Sequence, residues 1–310
     1  MIYLDTETAL IQQGLLAPPM TCIQFADDNS PVGVAVVGVD PVEDICRVIL
    51  KKGEICGHNI AYDMLVLMTE FPGLKDDILL AYDEDRVTDT LIREKLMHIS
   101  RGTLKTSGPL SLEALAKKYG EEKDGSDPWR LRYSELRGVP LLQWPAAARE
   151  YARHDIEATR AVYLAQDDCP DERRQTRYAF VMHCIEAQGV HTDPVAVDRF
   201  RGEVQAAYDD ASVLLKSEGL VRENGSRDTK VAKELMKSVL GEDCLITATG
   251  QISLSEEACQ LAGHSTLSAY QLYGSRQSLL SRLEGLEKGF NKPLNARFDS
   301  LKETGRTSCS

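Results

Sequence analysis

No apolar run in this chain approaches the roughly 18 consecutive residues that a membrane helix needs, and the N-terminus enters a strand-like segment with no charged leader. The chain is therefore expected in the cytoplasm and off the membrane. Eight cysteines stand at 22, 46, 56, 169, 184, 244, 259 and 309, and none has CxxC or CxxxC spacing. That excludes the usual zinc patterns and a dense disulfide framework, and leaves reduced, mostly buried thiols. A basic excess is also lacking. The net charge is −12; residues 1–170 hold 18 Lys+Arg against 28 Asp+Glu, whereas 171–310 hold 18 against 20. Such a balance counts by itself against nucleic acid as a partner, since phosphate binding leaves a basic footprint. The acidic surplus sits in the first half, where metal ions would offset part of it and solvated surface accounts for the rest. No repeat of fixed period and no low-complexity tract is present.

What is there suits two domains. At 310 residues the chain exceeds the usual single-domain size of about 100–150, and its 43% hydrophobic content is ordinary for a globular protein. Residues 2–7, 21–26 and 32–39 read as strands, the last two joined by the turn Asp27-Asp28-Asn29-Ser30-Pro31. Pro41 opens a helical pattern with Ile45, Val48 and Ile49 on one face. A short strand at 54–57, a helix at 60–69, a strand at 87–90 and a helix through Leu96 follow, and Ser111 is placed to cap a helix to Tyr119. Residues 120–144 look irregular, and a long helix spans 145–165. This order predicts an α/β fold: a mixed sheet with helices packed on it, in the manner of ribonuclease H. Residues 169–310 read as mainly helical, with helices at 171–187, 194–216, 229–240 and 266–288 and a Ser253-to-Glu256 capping box before another short one. The boundary is expected near 166–173, where Asp-Asp-Cys-Pro-Asp breaks the pattern.

Three fragments in the first half carry chemistry. Asp5-Thr6-Glu7 closes the first strand, and strand alternation points Asp5 and Glu7 to one side. Asn59-Ile60-Ala61-Tyr62-Asp63 opens a helix. Tyr151 and Asp155 are four apart in a helix and so share a face. A lone Asp-x-Glu is more often a solvated strand end, and a Tyr and Asp four apart are usually helix surface. The three fragments in this order within one domain are much more specific. Carboxylates suit hard cations, and two of them about 4 Å apart clamp the attacking and leaving oxygens of a phosphoryl displacement. Asp5, Glu7, Asp63 and Asp155 are thus candidate ligands for two divalent cations, Mg²⁺ or Mn²⁺. Tyr151, with a reference pKa of about 10, is better suited to orient the attacking water than to act as a base.

These fragments resemble the three exonuclease motifs of the DEDD superfamily of 3′-to-5′ exonucleases, in its tyrosine-bearing branch. The histidine branch carries His where this chain has Glu150; His154 points elsewhere on the helix, and His58 lies close enough in sequence to approach the site. Downstream, Ile185-Glu186-Ala187-Gln188-Gly189-Val190-His191-Thr192-Asp193, Gly250-Gln251-Ile252-Ser253 and Thr304-Gly305-Arg306-Thr307-Ser308-Cys309-Ser310 resemble segments before and within the thumb and at the entry to the palm of family A DNA polymerases. Ser111-Leu112-Glu113-Ala114-Leu115-Ala116 also resembles that family's exonuclease helix. The resemblance implies residues 1–168 as a proofreading 3′-5′ exonuclease domain and 169–310 as a helical thumb and the beginning of a palm. It further implies that Asn59 and Tyr62 line the pocket for the 3′-terminal nucleotide and that Arg306 contacts primer-template DNA. The palm and fingers motifs of such polymerases are absent from these residues, so no polymerisation is expected from this chain alone, and a second chain is a possible source of them. Phage relatives start at the same strand, which makes a bacterial or infected host cell the expected setting. Two rivals stand beside this reading: a free-standing RNA exonuclease similar to ribonuclease D, and a non-catalytic DNA-binding or assembly fragment.

Overall fold

A computed structural model describes residues 1–120, 128–302, 304 and 306–309. The first strand, β1 (Ile2–Thr8), pairs antiparallel with β2 (Met20–Asp27), which pairs antiparallel with β3 (Gly33–Val36). The β2–β3 turn closes as its residues demand, with Asp27 Oδ1 accepting from the Asn29 and Ser30 N–H groups at 2.9 and 2.7 Å. α1 (Val42–Lys52) follows Pro41 and buries Val42, Cys46, Ile49 and Leu50. The face overlaps the expected one at Ile49 and at Ile45, which packs partly buried against the core, but Val48 is 47% exposed. The helix begins at Val42, and its stripe runs from there at i, i+4, i+7 and i+8. β4 (Ile55–Gly57), α2 (Ile60–Glu70), α3 (Lys75–Asp83), β5 (Val87–Asp89) and α4 (Thr90–Ser100) complete a five-stranded mixed sheet in the order β3-β2-β1-β4-β5, with β4 parallel to β1 and β5. α3 has no counterpart in the sequence reading.

Alternation along the strands builds two cores. Leu4, Ile23 and Ile55 face α1, α2 and α3, while Tyr3, Ala26 and Cys56 face the other way, toward Ile156 of a long helix. That helix, α6 (Ala146–Ala165), comes after α5 (Leu112–Lys118), whose Ser111 cap accepts from Ala114 N–H at 3.3 Å. Between them, residues 128–143 form three short 3₁₀ turns, and 121–127 lie outside the described residues. α7 (Glu172–Gln188) ends at Gly189, which has φ 60°. Phe180 of α7 is 2% exposed and stacks on Tyr82 of α3, with ring centroids 4.3 Å apart.

The chain divides into two compact units, Met1–Gly189 with Asn295–Ser310, and Val190–Leu294. The division does not follow the break in pattern at 166–173, because α7 packs on β5, α2, α3 and α4 and belongs with the sheet. The second unit contains α8 (Pro194–Ser217), α9 (Thr229–Leu240), α10 (Glu256–Ala262) and α11 (Ser265–Glu287). Its core joins Ala211, Leu215, Ala232, Tyr270 and Tyr273. The cap of α10 is Ser255, not Ser253: Ser255 Oγ accepts from Ala258 N–H at 3.3 Å, and Ser253 Oγ accepts from Ser255 N–H at 3.2 Å. Two short strands, β6 (Phe298–Asp299) and β7 (Ser308–Cys309), pair antiparallel in the segment that returns to the first unit. Gly305 and Ser310 of the Thr304–Ser310 segment lie outside the described residues. Among the described residues no helix is long and apolar enough to cross a membrane. All eight thiols are free; Cys22, Cys46, Cys56 and Cys259 are buried and Cys309 is exposed.

Candidate metal centre

The site lies where the parallel ladder runs out. β4 pairs with β1 only at Ile2 and Tyr3, then gives way to α2, so the rest of β1 has lost its neighbour on that side. The Thr6 N–H is satisfied instead by Asp63 of α2, whose Oδ1 accepts from it at 2.9 Å and from Thr6 Oγ1 at 2.6 Å. Thr6 follows Leu4 onto the α2 face. Asp5 and Glu7 follow Tyr3 onto the opposite face, toward α6. There, Asp155 meets them: one carboxylate oxygen from each of Asp5, Glu7 and Asp155 lies within 4.8 Å of the others. The strand pair and the helical carboxylate expected from the sequence are therefore brought together, whereas Asp63 stands outside that trio and is held through Thr6.

Tyr151, one turn before Asp155, is 8% exposed and packs against Tyr133 with the two rings tilted and their centroids 5.9 Å apart. The Tyr133 hydroxyl in turn donates to Ala148 O at 2.6 Å. Two adjoining cavities of about 590 and 560 Å³ open here and share Asp5, His58, Asn59, Arg130, Tyr151 and Asp155. Asn59 sits in the left-handed region, with φ 58° and ψ 40°, and donates its N–H to Asp89 at 2.9 Å. The Tyr62 hydroxyl pairs with Thr8 Oγ1 at 2.6 Å on the cavity wall. Arg306 is exposed, and its carbonyl accepts from Lys302 N–H at 3.0 Å. It is not among the residues lining these cavities.

The charge distribution fits a cation. Burial, and then the charge of Asp5, push the Asp63 carboxyl well above the usual range, against the pull of its Thr6 hydrogen bonds. The Tyr62 hydroxyl is pushed up to about 12, by burial first and then by Asp63, Glu7 and Asp5, against the pull of its Thr8 hydrogen bond. The Cys22 thiol and the Tyr133 hydroxyl are raised by burial first and then by Glu7 and Asp5 as well. A donor set of three carboxylates from two elements is hard and oxygen-rich, which suits Mg²⁺ or Mn²⁺ better than a thiophilic metal.

Several participants were not legible beforehand. Thr6 and Thr8 lie in the strand between and beyond the acidic pair, and only the register reveals that they hold Asp63 and Tyr62. Asp89 anchors Asn59 from 30 residues away. Lys95 and Arg130 line the cleft without any spacing that links them to the acids. His58, by contrast, was expected close to the site and does line the cleft, with Nδ1 2.9 Å from Thr90 Oγ1.

No family model and no curated protein matches the chain. Among solved structures it is similar to the POL domain of Pol1 from M. smegmatis, solved in complex with DNA primer-template and dNTP. The TM-score is 0.52 and the identity 15%, over 100% of this chain and 50% of that one. The chain thus spans about half the length of the polymerase domain whose fold it shares.

Proposed function

We propose that the chain is the N-terminal part of a family A DNA polymerase and carries a two-metal 3′-to-5′ exonuclease that removes nucleoside monophosphates from DNA 3′ ends. The observation that carries this reading is the convergence of Asp5, Glu7 and Asp155 within 4.8 Å at the end of the sheet, in a cleft shared with Tyr151 and Asn59. The fold shared with a polymerase domain solved on primer-template DNA supports DNA as the substrate. By this reading the first unit is a ribonuclease H-like nuclease, the second a thumb, and Arg306 a DNA contact at the entry to the palm.

Asp5, Glu7 and Asp155 would hold one divalent cation, and Asp63 would help to hold a second. Such ions supply Lewis acidity and lower the pKa of water. Tyr151, fixed by its packing on Tyr133, orients the attacking water with its hydroxyl. Asn59 and Tyr62 bracket the terminal nucleotide. Leu10 and Ile11, 52% and 54% exposed on the cleft rim, offer apolar faces to a base. A frayed single strand enters such a cleft at lower cost than a paired end, and a mismatched end frays more readily, which is the basis of proofreading.

The test is digestion of a labelled DNA oligonucleotide and its RNA counterpart with Mg²⁺ and with EDTA. Release of monophosphates from the DNA 3′ end, lost in Asp5→Ala, is the expected result. Preference for RNA would point to a ribonuclease instead, and DNA binding without hydrolysis to a non-catalytic fragment.

A further inference from the structure

We infer that Arg130 is a phosphate clamp, a positioning residue that binds a backbone phosphate flanking the scissile one; this rests on the exonuclease reading above. A nucleic-acid strand entering this cleft meets five carboxylates, Asp5, Glu7, Asp63, Glu113 and Asp155, and bound cations offset charge only at the scissile bond. Flanking phosphates need a separate positive group. Two described cations line the cleft, Lys95 and Arg130. Lys95 is committed to Asp299, with Nζ 3.0 Å from Oδ1.

Arg130 is not so committed. It lies on the 3₁₀ turn Pro128–Leu131, is exposed, and has no carboxylate partner among the described residues. Its neighbour Arg132 shows the alternative: Glu135 binds it at 2.9 and 2.7 Å, and it lies 4.6 Å over the Trp129 ring. Arg130 is instead one of the six residues common to both adjoining cavities, and so stands where the two halves of the cleft meet. A guanidinium presents five donors in a planar fork, which matches a phosphodiester's two free oxygens.

The experiment measures binding of a 5′-fluorescein oligo(dT) by anisotropy, with Ca²⁺ as the cation, over a salt series. Arg130→Ala should weaken binding by about tenfold. It should also flatten the slope of log K against log salt by about 0.7, the share of one phosphate contact on a single strand. Arg130→Lys keeps the charge and should keep the slope, and Arg132→Ala should change neither quantity. An Arg130→Ala curve that superimposes on wild type, or the absence of salt-dependent binding by wild type, overturns the clamp. Mg²⁺-dependent hydrolysis and its loss in Asp5→Ala are measured separately, so an unaltered Arg130→Ala curve with hydrolysis intact rejects the clamp and leaves the nuclease standing. Lack of hydrolysis rejects the nuclease itself.

Discussion

Single side chains differ sharply here in what their loss should do. Asp5, Glu7 and Asp155 form the trio, so Asn or Ala at any one should lower metal-dependent hydrolysis by on the order of 10²-fold or more while the fold survives, as circular dichroism would show. Tyr151→Phe keeps the packing on Tyr133 and removes only the hydroxyl; a loss of roughly 10- to 100-fold in kcat is expected, with KM little changed. Equal activity would show that the hydroxyl plays no part. Asp63 separates stability from function. Its carboxyl is raised by burial and by Asp5, so the folded state favours its neutral form, and its contribution is present at low pH and lost as pH rises through the raised value. Asp63→Asn keeps an acceptor for Thr6 without the charge. In EDTA near pH 8 it should be more stable than wild type by on the order of 1 kcal/mol in urea denaturation, yet gain less stability from added Mg²⁺. A variant less stable than wild type would contradict this account.

At the scale of elements, the site depends on how β4 hands over to α2 and how β5 hands over to α4. A Cβ on Gly57 would lie 3.0 Å from Leu4 O and 2.9 Å from Ile60 Cγ1, so strand β1 and helix α2 leave no room for a side chain. Gly57→Ala should cost about 1–3 kcal/mol and reduce nuclease activity by shifting β1 under Asp5; a thermal melt unchanged within a degree would refute the constraint. Asp89 caps α4 by accepting from Leu91 and Ile92 and also holds Asn59, and burial raises its carboxyl to about 6. Against an unfolded value of about 3.9, its contribution is whole below pH 3.9 and lost as pH rises through 6. The stability of Asp89→Asn relative to wild type should therefore rise by up to about 3 kcal/mol between pH 4 and pH 7, because the amide does not titrate. A pH-independent difference would rule this out. Elements with strong local signals were legible in the sequence. The helices at 60–69, 229–240 and 266–288 all form, because apolar spacing, Asp228 and the stop at Gly241 act locally. α3 was not legible: its stripe of Ile78, Ala81 and Tyr82 is short, and it is defined by packing with residues such as Phe180 about 100 positions away. Likewise the acidic trio could be read from alternation and helical spacing, whereas the role of Asp63 depends on where β4 ends.

The molecule as a whole is not cut where its sequence pattern changes. Composition marked 166–173, but compactness is decided by what α7 buries, and only distant contacts with the sheet reveal that it joins the first unit. The second unit is an insertion with adjacent ends: Val190 and Leu294 exchange backbone hydrogen bonds, each N–H to the other's carbonyl at 2.9 Å. Gly189 and Asn295 flank that bridge directly, so the first unit's chain leaves and returns at nearly one point. The returning segment then has its own attachments. Asn295 Nδ2 donates to Glu186 O at 2.8 Å, Gly14 N–H donates to Asn295 Oδ1 at 2.9 Å, and the Tyr178 hydroxyl pairs with Thr307 at 2.6 Å. Closing a gap this short costs little loop entropy, so residues 190–294 can be replaced by a Gly-Ser link of about four residues without pulling those attachments apart. The shortened protein should unfold in one cooperative transition and keep Mg²⁺-dependent removal of 3′ nucleotides from single-stranded DNA within a few-fold of the full chain, since every carboxylate of the site lies in the first unit. Binding of primer-template duplex should fall much more, because the proposed thumb is gone. A deletion protein that is soluble and cooperative but inactive on single strands would show that the helical unit takes part in the hydrolytic site, and the division of labour between the two units would have to be abandoned.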